Sequence, residues 1–339
     1  MARKKPLREQ VIVVTGASSG LGRAVARLAG RRGAKVVVTA RNSEALDACV
    51  REIEAFGSEA LAVAADCTVQ DEVAQVVEQA VHRFGRIDTY VANAIVTVYA
   101  ETYRYEPDEL RRIMDVNFFG QVYGYWAVLP HLRESQGTFV SIQSALAYRG
   151  IPLQGGYCAS KAALRNFFES ARVELLKAGW GVDISVVHPA AINTPQFDRD
   201  RQKTGKQAQP VPPIYQPEPF ADAVLHCCEH PIRELPVGWG AQKLMWGQKL
   251  SPRAGDLMLL RMGWKSQHTD EDKPLDSPDN LFRTLPGDPG AHGRFDAQSR
   301  ASTLWTSLRL RRWLVGAAVV GAAALAGSAE RGRKTGLLR

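Results

Sequence analysis

Residues 11–22 are Val-Ile-Val-Val-Thr-Gly-Ala-Ser-Ser-Gly-Leu-Gly, and apolar residues recur at helical spacing after them. The apolar run at 11–14 predicts a buried strand, the glycines predict a tight turn, and the pattern from Leu21 onward predicts a helix. Glycine lets the backbone approach a phosphate closely, and the first turn of a helix offers free N–H groups to an anion. This position after the first strand favours a dinucleotide site over a purely structural connection.

The same alternation of strand and helix continues along the chain. We predict strands at 11–14, 35–40, 60–65, 87–92, 137–142, 182–188 and 234–239, and helices at 43–56, 70–84, 107–134, 157–178 and 218–230. Alternating strands and helices form parallel sheets, and strands buried on both faces are continuous apolar runs. The predicted fold is α/β, with a doubly wound parallel sheet and helices on both faces.

The composition is that of a globular protein whose positive charge lies at its two ends. The chain has 339 residues, 45% of them hydrophobic, and a formal net charge of +8. Residues 1–9 carry a net charge of +3 and residues 304–339 carry +6, which leaves about −1 for the rest. A nearly neutral central region argues against a nucleic-acid-binding protein.

The cysteines and the N-terminus indicate a reducing compartment. The five cysteines have neither C-x-x-C spacing nor paired histidines, so we expect no metal site and no disulfide framework. The basic N-terminus lacks the apolar region of a secretory signal. We therefore expect a cytoplasmic protein.

Tyr157 and Lys161 form a candidate proton-transfer pair. In a helix, positions i and i+4 lie on one face, which places the phenol beside the ammonium. A neighbouring cation favours phenolate and lowers the pKa of tyrosine, so the pair can serve an alcohol or a carbonyl. Ser144 lies 13 residues earlier, after a predicted strand. The alternative is an ordinary helix pair without catalytic function.

Arg41 follows the second predicted strand and bears on the choice of cofactor. Sites selective for NAD place an acid near this position, whereas an arginine suits the 2′-phosphate of NADP. The first acid after this strand is Glu44. The sequence favours NADP over NAD, and the alternative is a solvated surface arginine.

These motifs, together with Asp66, Asn93 and Asn117, resemble the short-chain dehydrogenase/reductase family in its short, single-domain branch. The resemblance covers about residues 8–245. It implies a Rossmann-like sheet of seven strands, a bound NAD(P)H and a homo-oligomer.

The resemblance also implies roles for individual residues. Tyr157 would pass a proton, Lys161 would lower its pKa and hold the nicotinamide ribose, Ser144 would bind the reacting oxygen, and Asn117 would anchor a water relay. Asp66 would contact the adenine, and Asn93 would support the cofactor. The implied cofactor-binding residues are Gly16, Ser18, Ser19, Gly20, Leu21, Gly22, Arg41, Asp66, Asn93, Tyr157, Lys161, Ile192 and Thr194.

Two positions depart from the family pattern. Ile95 and Ala190 stand where the family usually has glycine at the nicotinamide end. Because a β-branched residue tolerates positive φ poorly, either the local backbone differs or Ile95 fills part of the pocket.

Outside the predicted sheet, the sequence indicates further segments. We expect a basic arm at 1–8, a catalytic domain at 9–262 that includes a substrate lid at 193–219, an irregular linker at 263–303, and a basic, apolar helix at 304–339. Residues 313–329 lack charge and would span about 25 Å as a helix, the short limit for a bilayer. They are either a membrane attachment or a packed, partner-binding helix. Since the candidate catalytic residues precede position 165, we expect a chain ending near 263–270 to keep activity, if the fold tolerates the cut, and to be freely soluble.

Three functions are compatible with these sequence motifs. The first is an NADP-dependent oxidoreductase acting on a small carbonyl or alcohol; tyrosines in the loops favour an apolar substrate such as a steroid, retinoid or long-chain carbonyl. The second is a non-catalytic NADP-binding scaffold or sensor at a membrane, which has no need of a proton relay. The third is an epimerase or dehydratase of the longer branch, but the T-G-x-x-x-G-x-G spacing matches the short branch.

Overall fold

A seven-stranded parallel sheet forms the centre of the protein. The computed structural model describes residues 4–303 together with residues 306, 307 and 310. The strands are β1 Val11–Thr15, β2 Lys35–Ala40, β3 Ala60–Ala64, β4 Thr89–Ala92, β5 Thr138–Ile142, β6 Asp183–Pro189 and β7 Glu234–Val237. Their order is β7-β6-β5-β4-β1-β2-β3, and each neighbouring pair is parallel. The order reverses at β1 and β4, as in a Rossmann fold, and the predicted fold class is confirmed.

Helices cover both faces of this sheet. They are α1 Gly20–Arg31, α2 Ser43–Glu54, α3 Gln70–Phe84, α4 Pro107–Met114, α5 Gly120–Ser135, α6 Gly155–Ala178, α7 Gln196–Arg199, α8 Glu218–Glu229, α9 Trp239–Leu250 and α10 Pro252–Met262. Ile12 and Val14 pack with α1, α2 and α8, whereas Val13 packs with α3, α5 and α6. Successive residues of a strand point to opposite faces, so β1 contributes to both hydrophobic cores.

The predicted helix at 107–134 is interrupted. A π-helical turn at Asp115–Phe119 separates α4 from α5, and it contains Asn117. Single π-turns inside helices are frequent at functional sites. Apolar periodicity indicates a continuous helix here because Met114 and Gly120, on either side of the turn, both keep right-handed helical backbone angles.

Residues 193–219 contain short pairings with other segments. Arg201–Gln202 pairs in parallel with Val98–Tyr99, and Lys206–Ala208 pairs antiparallel with His268–Asp272. The 3-10 segments are Leu7–Glu9, Thr102–Arg104, Ala145–Ala147, Lys265–Gln267 and Asp296–Gln298.

Residues 263–303 do not form a free linker. The segment is largely irregular, as expected, but it packs on the catalytic domain and buries Leu281, Ala291 and Phe295. Many of its hydrogen bonds to the rest of the protein involve a backbone N–H or carbonyl. Such bonds leave no periodic signal in the sequence.

The structure describes part of the basic arm but not the predicted membrane helix. Lys4, in the arm, forms a 2.9 Å ion pair with Asp183 and donates to the carbonyls of Gln136 and Gly181. The predicted helix at 313–329 lies outside the described residues. Among the helices within the described residues, none has the length and apolar character needed to cross a bilayer.

Candidate active site

A cavity of about 870 Å³ opens at the carboxyl ends of the sheet strands. Its wall includes the residues that follow β1, β2, β3, β4, β5 and β6, namely Gly16, Arg41, Asp66, Asn93, Ser144 and Ala190. Ligands of open α/β sheets bind at this edge, near the point where strand order reverses. The volume lies within the range of small-molecule and cofactor sites.

The glycine turn forms the wall beside β1. Gly16 and Gly20 have φ values of +63° and +55°, a conformation that disfavours other residues. A Cβ on Gly16 would lie 2.8 Å from the Cα of Ala94. Backbone therefore forms this wall, directly before the N-terminus of α1, and this arrangement fits the phosphates of a dinucleotide.

Asn93 holds the glycine turn against β4. Its side-chain amide donates to the carbonyls of Thr15 at 3.1 Å and Gly16 at 3.3 Å, and its backbone N–H donates to Thr15 Oγ1 at 2.9 Å. Asn93 therefore fixes the position of the glycine turn relative to β4. Among the other predicted residues, the cavity is lined by Ser18, Ser19, Gly20, Leu21, Ile192 and Thr194. Gly22 lies behind the turn, against the carbonyl of Gly16.

Arg41 lies at the end of β2 with one half of its guanidinium engaged. Its Nη2 donates to the carbonyl oxygen of Asn280 at 2.6 Å. Its Nη1 is buried and has no hydrogen-bond partner among the described residues. Burial lowers the pKa of Arg41, and the nearby cation Arg112 adds to this effect. An anion beside Arg41 would offset both costs.

Asp66 is an ionised acid at the end of β3. Burial raises the pKa of its carboxyl, but hydrogen bonds from Arg112 and Thr68 outweigh burial and lower the pKa overall. The Arg112 Nη2 to Asp66 Oδ2 distance is 2.7 Å, and Thr68 donates to Oδ1 from its N–H and its hydroxyl.

Ser144, Tyr157 and Lys161 converge on one wall of the cavity. Ser144 follows β5, and α6 carries Tyr157 and Lys161 in its first two turns. Ser144 forms a hydrogen bond with Tyr157, and its Oγ accepts from the N–H of Leu146 at 3.1 Å. The Nζ of Lys161 lies 5.6 Å from the centre of the Tyr157 ring and donates to the carbonyl of Ile142 at 2.9 Å.

The expected lowering of the tyrosine pKa is not found. Burial raises the pKa of Tyr157 above its usual range, although the hydrogen bond with Ser144 opposes the rise. Burial also lowers the pKa of Lys161 to about 7. A low-dielectric environment disfavours phenolate and ammonium alike, so burial keeps the Tyr157 hydroxyl protonated at neutral pH and brings the titration of Lys161 close to neutrality.

Asn117 lies beneath the site and does not line the cavity. Its Oδ1 accepts from the N–H of Val96 at 2.9 Å, and its Nδ2 donates to the carbonyl of Val96 and to Ser160 Oγ, both at 3.0 Å. Ser160 in turn donates to the carbonyl of Tyr157 at 2.8 Å. Asn117 therefore joins the loop after β4 to the helix that carries Tyr157.

Ile95 and Ala190 are accommodated without backbone strain. Both line the cavity. Neither has positive φ, since Gln136 and Leu153 are the non-glycine residues with positive φ in the described part of the chain. The local backbone therefore differs from one that requires glycine, and Ile95 narrows the pocket.

Two features of the site escaped sequence analysis. His188, at the end of β6, is buried and bonds through Nδ1 to the carbonyl of Ser144 at 3.0 Å. Residues from the segment after α10 complete the cavity wall, namely Gly263, Lys265, Ser266, Gln267, Asn280, Thr284, Leu285 and Pro289. His188 follows directly after apolar residues in its strand, but nothing in the sequence indicates where the later segment packs.

Comparison with known proteins places this geometry in context. A family model described as short chain dehydrogenase matches residues 10–205. The uncharacterized oxidoreductase YxnA of Bacillus subtilis (strain 168) is 37% identical over 269 residues, which cover 78% of this chain and 76% of that protein. A protein of Arabidopsis thaliana named 11-beta-hydroxysteroid dehydrogenase-like 2 is 36% identical over 197 residues, which cover 56% of this chain and 62% of that protein.

A solved structure is also similar. It is an alcohol dehydrogenase from the archaeon Thermococcus sibiricus complexed with 5-hydroxy-NADP. The TM-score is 0.60 at 26% sequence identity, and the match covers 67% of this chain and 95% of the other. The similarity therefore extends over nearly the whole of that enzyme.

Proposed function

The chain belongs to the short-chain dehydrogenase/reductase family and is an NAD(P)-dependent oxidoreductase; we propose that it transfers a hydride between NADP(H) and a carbonyl/alcohol pair, with Tyr157 as the proton donor and acceptor. The observation that carries the proposal is the convergence of Ser144, Tyr157 and Lys161 on one wall of the cavity that the glycine turn also lines. A binding protein without turnover has no need of this set.

Each of these residues has a chemical task in the proposal. When bound, NADP(H) supplies or accepts the hydride. Tyr157 donates its hydroxyl proton to the carbonyl oxygen during reduction and takes the proton back during alcohol oxidation. Ser144 orients that oxygen through a second hydrogen bond. Lys161, whose pKa burial lowers to about 7, favours the phenolate of Tyr157 whenever it carries its proton.

The preference for NADP rests on Arg41. The nearest acid in sequence is Glu44, which lies in α2 beyond the strand end, so no carboxylate directly follows β2. The buried, unpartnered Nη1 of Arg41 is suited to a phosphate. The complex of the Thermococcus sibiricus enzyme with an NADP derivative supports the same choice.

Exchange of Arg41 for aspartate tests this preference. Hydrogen bonds to charged groups contribute about 1.5–3 kcal/mol, so Arg41→Asp should lower kcat/KM for NADPH by about 10- to 100-fold or more and spare NADH. The measurement is the initial rate of carbonyl reduction with each cofactor. Arg31→Asp, an exposed arginine in α1, is the matched control and should change neither value. Equal kcat/KM for both cofactors in the wild type would contradict the proposal.

The substrate half of the cavity favours an apolar compound. It is lined by large apolar side chains, namely Ile95, Tyr99, Leu146, Ile151, Phe197, Val211, Leu244, Met258 and Leu259. Similarity to plant proteins named 11-beta-hydroxysteroid dehydrogenases agrees with a steroid or another large apolar carbonyl.

A panel of carbonyls and alcohols tests the substrate class. NADPH absorbance should show higher kcat/KM for steroid and long-chain carbonyls than for short polar ketones, because apolar area buried on binding contributes about 25 cal/mol per Å². Turnover confined to small, polar carbonyls would contradict an apolar substrate while leaving the oxidoreductase activity in place.

A further inference from the structure

Residues 279–290, here called the strap, cross the outer side of the dinucleotide half of the cavity. Four of them line it: Asn280, Thr284, Leu285 and Pro289. The strap lies more than 100 residues after Lys161 in the chain and beyond the match to the family model, which ends at residue 205. It therefore lies outside the part of the chain that the family model matches.

The strap is attached to three residues that line the cavity, Gly20, Arg41 and Asn42, and to Arg112, which pairs with Asp66. Its backbone carbonyls accept hydrogen bonds from them: Arg41 Nη2 to Asn280 at 2.6 Å, Arg112 Nε to Leu281 at 3.0 Å, Asn42 Nδ2 to Leu285 at 3.2 Å and to Gly287 at 3.1 Å, and Gly20 N to Gly290 at 3.0 Å. A backbone carbonyl is a neutral acceptor. Another acceptor can therefore replace it in such a hydrogen bond without leaving a buried charge on the strap.

An ion pair fixes the strap beside the glycine turn. Arg23 of α1 is only 2% exposed and pairs with Asp288 of the strap through two hydrogen bonds, the longer of them Nη2 to Oδ2 at 3.0 Å. Glu52 accepts from the Nε of the same guanidinium at 3.0 Å. Asp288 also accepts from the N–H of Gly290 at 3.1 Å, so it holds the end of the strap that contacts Gly20.

The contact between Gly20 and Gly290 bears directly on cofactor binding. Gly20 is the first residue of α1, and its N–H belongs to the group of helix N-terminal donors that face a phosphate in dinucleotide sites. A backbone N–H is a single donor. The Gly290 carbonyl and a phosphate oxygen are therefore alternative partners for it.

We propose that the strap is a gate over the dinucleotide site: it opens for the cofactor to enter or leave, it closes again over the bound cofactor with only the Gly20–Gly290 contact given up to a phosphate, and its opening is governed by the Arg23–Asp288 ion pair. The proposal rests on the proposed function, because it takes the cavity to be a dinucleotide site. A gate of this kind slows association and dissociation together, since both require the same opening.

Rapid-mixing measurements with NADPH test the gate. Asp288→Asn keeps the size of the side chain and weakens its bond to Arg23, which remains paired with Glu52. We expect the rates of NADPH association and dissociation, followed by cofactor fluorescence, each to rise about three- to tenfold. Asp276→Asn is the matched control, because Asp276 is exposed, lies just before the strap and has no side-chain hydrogen bond or ion pair with another described residue.

A second variant keeps the test decisive if Asp288→Asn folds poorly. Asn42→Ser retains an oxygen to cap α2, where Asn42 accepts from the N–H of Ala45, but removes the amide that donates to Leu285 and Gly287. It should raise both rates as well. Folded variants with both rates unchanged within twofold would overturn the gate. A wild-type protein that binds no NADPH would instead overturn the proposed function, and the gate with it.

Discussion

His188 shows how one buried side chain links the active site to the stability of the fold. Its partner is the backbone carbonyl of Ser144, so the neutral ring carries its hydrogen on Nδ1. Nε2 is buried and has no hydrogen-bond partner among the described residues. Burial lowers the pKa of His188 to about 4, and the Ser144 carbonyl only partly opposes this shift. His188 thereby fixes the loop that carries Ser144 while remaining neutral.

Acid should destabilise the protein partly through His188. Between pH 6.5, the usual pKa, and about 4, the unfolded chain binds a proton that the folded state does not. The contribution of His188 to the free energy of unfolding is fully present above pH 6.5. It falls by on the order of 3 kcal/mol as the pH falls toward 4. Urea unfolding from pH 7.5 to 4.5 measures it: His188→Asn should flatten the pH dependence, and His82→Asn, an exposed control, should not. Equal pH dependence in wild type and His188→Asn would contradict this role.

At the residue scale, sequence reasoning located the groups at the strand ends but not their environments. Arg41, Asp66, Asn93 and Ser144 could be placed at one edge because parallel strands share a carboxyl end. The pKa direction of Tyr157 could not be predicted, because it depends on burial by residues distant in the chain. The bond from Arg41 to Asn280 joins residues 239 positions apart through a carbonyl, and every residue type carries that group.

At the scale of elements, the glycine turn is the most constrained part of the site. A Cβ on Gly22 would lie 2.3 Å from the Gly16 carbonyl oxygen and 2.6 Å from Asn93 Nδ2. Both groups belong to the network that holds the turn on β4. The third glycine of the motif is therefore required for packing of α1 against the turn, and the backbone shape of the dinucleotide wall follows from it.

Gly22→Ala should consequently destabilise the protein by about 1–3 kcal/mol and weaken NADPH binding, since overpacking forces the turn to shift. The midpoint of urea unfolding and a fluorescence titration with NADPH measure the two effects. Gly247→Ala is the control, because this glycine lies within α9 and a Cβ there would meet nothing within 4 Å. It should be neutral or stabilising by up to about 1 kcal/mol. Equal stability of the two variants would show that the turn adapts.

Elements with strong periodicity were predicted well, and the irregular ones were not. Strands β1 to β7 begin and end within about two residues of the predicted positions because their apolar runs are bounded by turns. The π-turn at Asp115–Phe119 could not be predicted, since one extra residue in a helical turn is within the scatter of apolar spacing. The hydrogen bonds of Asn117 are the physical reason that this turn matters to the site.

At the scale of the whole molecule, the described residues after α10 pack against the elements that surround the sheet. Arg300 exchanges backbone hydrogen bonds with Ile214 and Gln216, and Phe295 N donates to Asn193 Oδ1 at 3.1 Å. Thr306 Oγ1 accepts from Gly238 N at 3.0 Å, and Leu310 packs against the core that includes β1. A cut near 263–270 would remove all of these contacts, so the condition that the fold tolerates the cut is the point to test.

A chain that ends at Asp270 should lose stability, because it exposes the surface that buries Leu281 and Phe295. Burial of one large apolar side chain contributes about 1.5–3 kcal/mol, so we expect a loss of Tm of roughly 10 °C and weak NADPH binding. A chain that ends at Arg312 is the control and should match the full chain in both. Thermal unfolding and NADPH titration provide the comparison. Full stability of the shorter chain would show that residues 271–303 are dispensable.

The organisation of the whole chain was predicted only as far as the periodic region extends. The doubly wound sheet follows from alternating apolar patterns, and these end near β7. The later contacts depend on carbonyls and on single pairs such as Arg23 with Asp288, which leave no pattern in composition or spacing.

Tyr157 is proposed to transfer the proton, and removal of its hydroxyl is the most direct test. Tyr157→Phe keeps the ring and deletes the hydroxyl, so NADPH should still bind while carbonyl reduction falls by about 10²–10⁴-fold. Tyr103→Phe, at a position 84% exposed, is the control and should retain full activity. Turnover by Tyr157→Phe within a few-fold of wild type, with NADPH bound normally, would contradict the account.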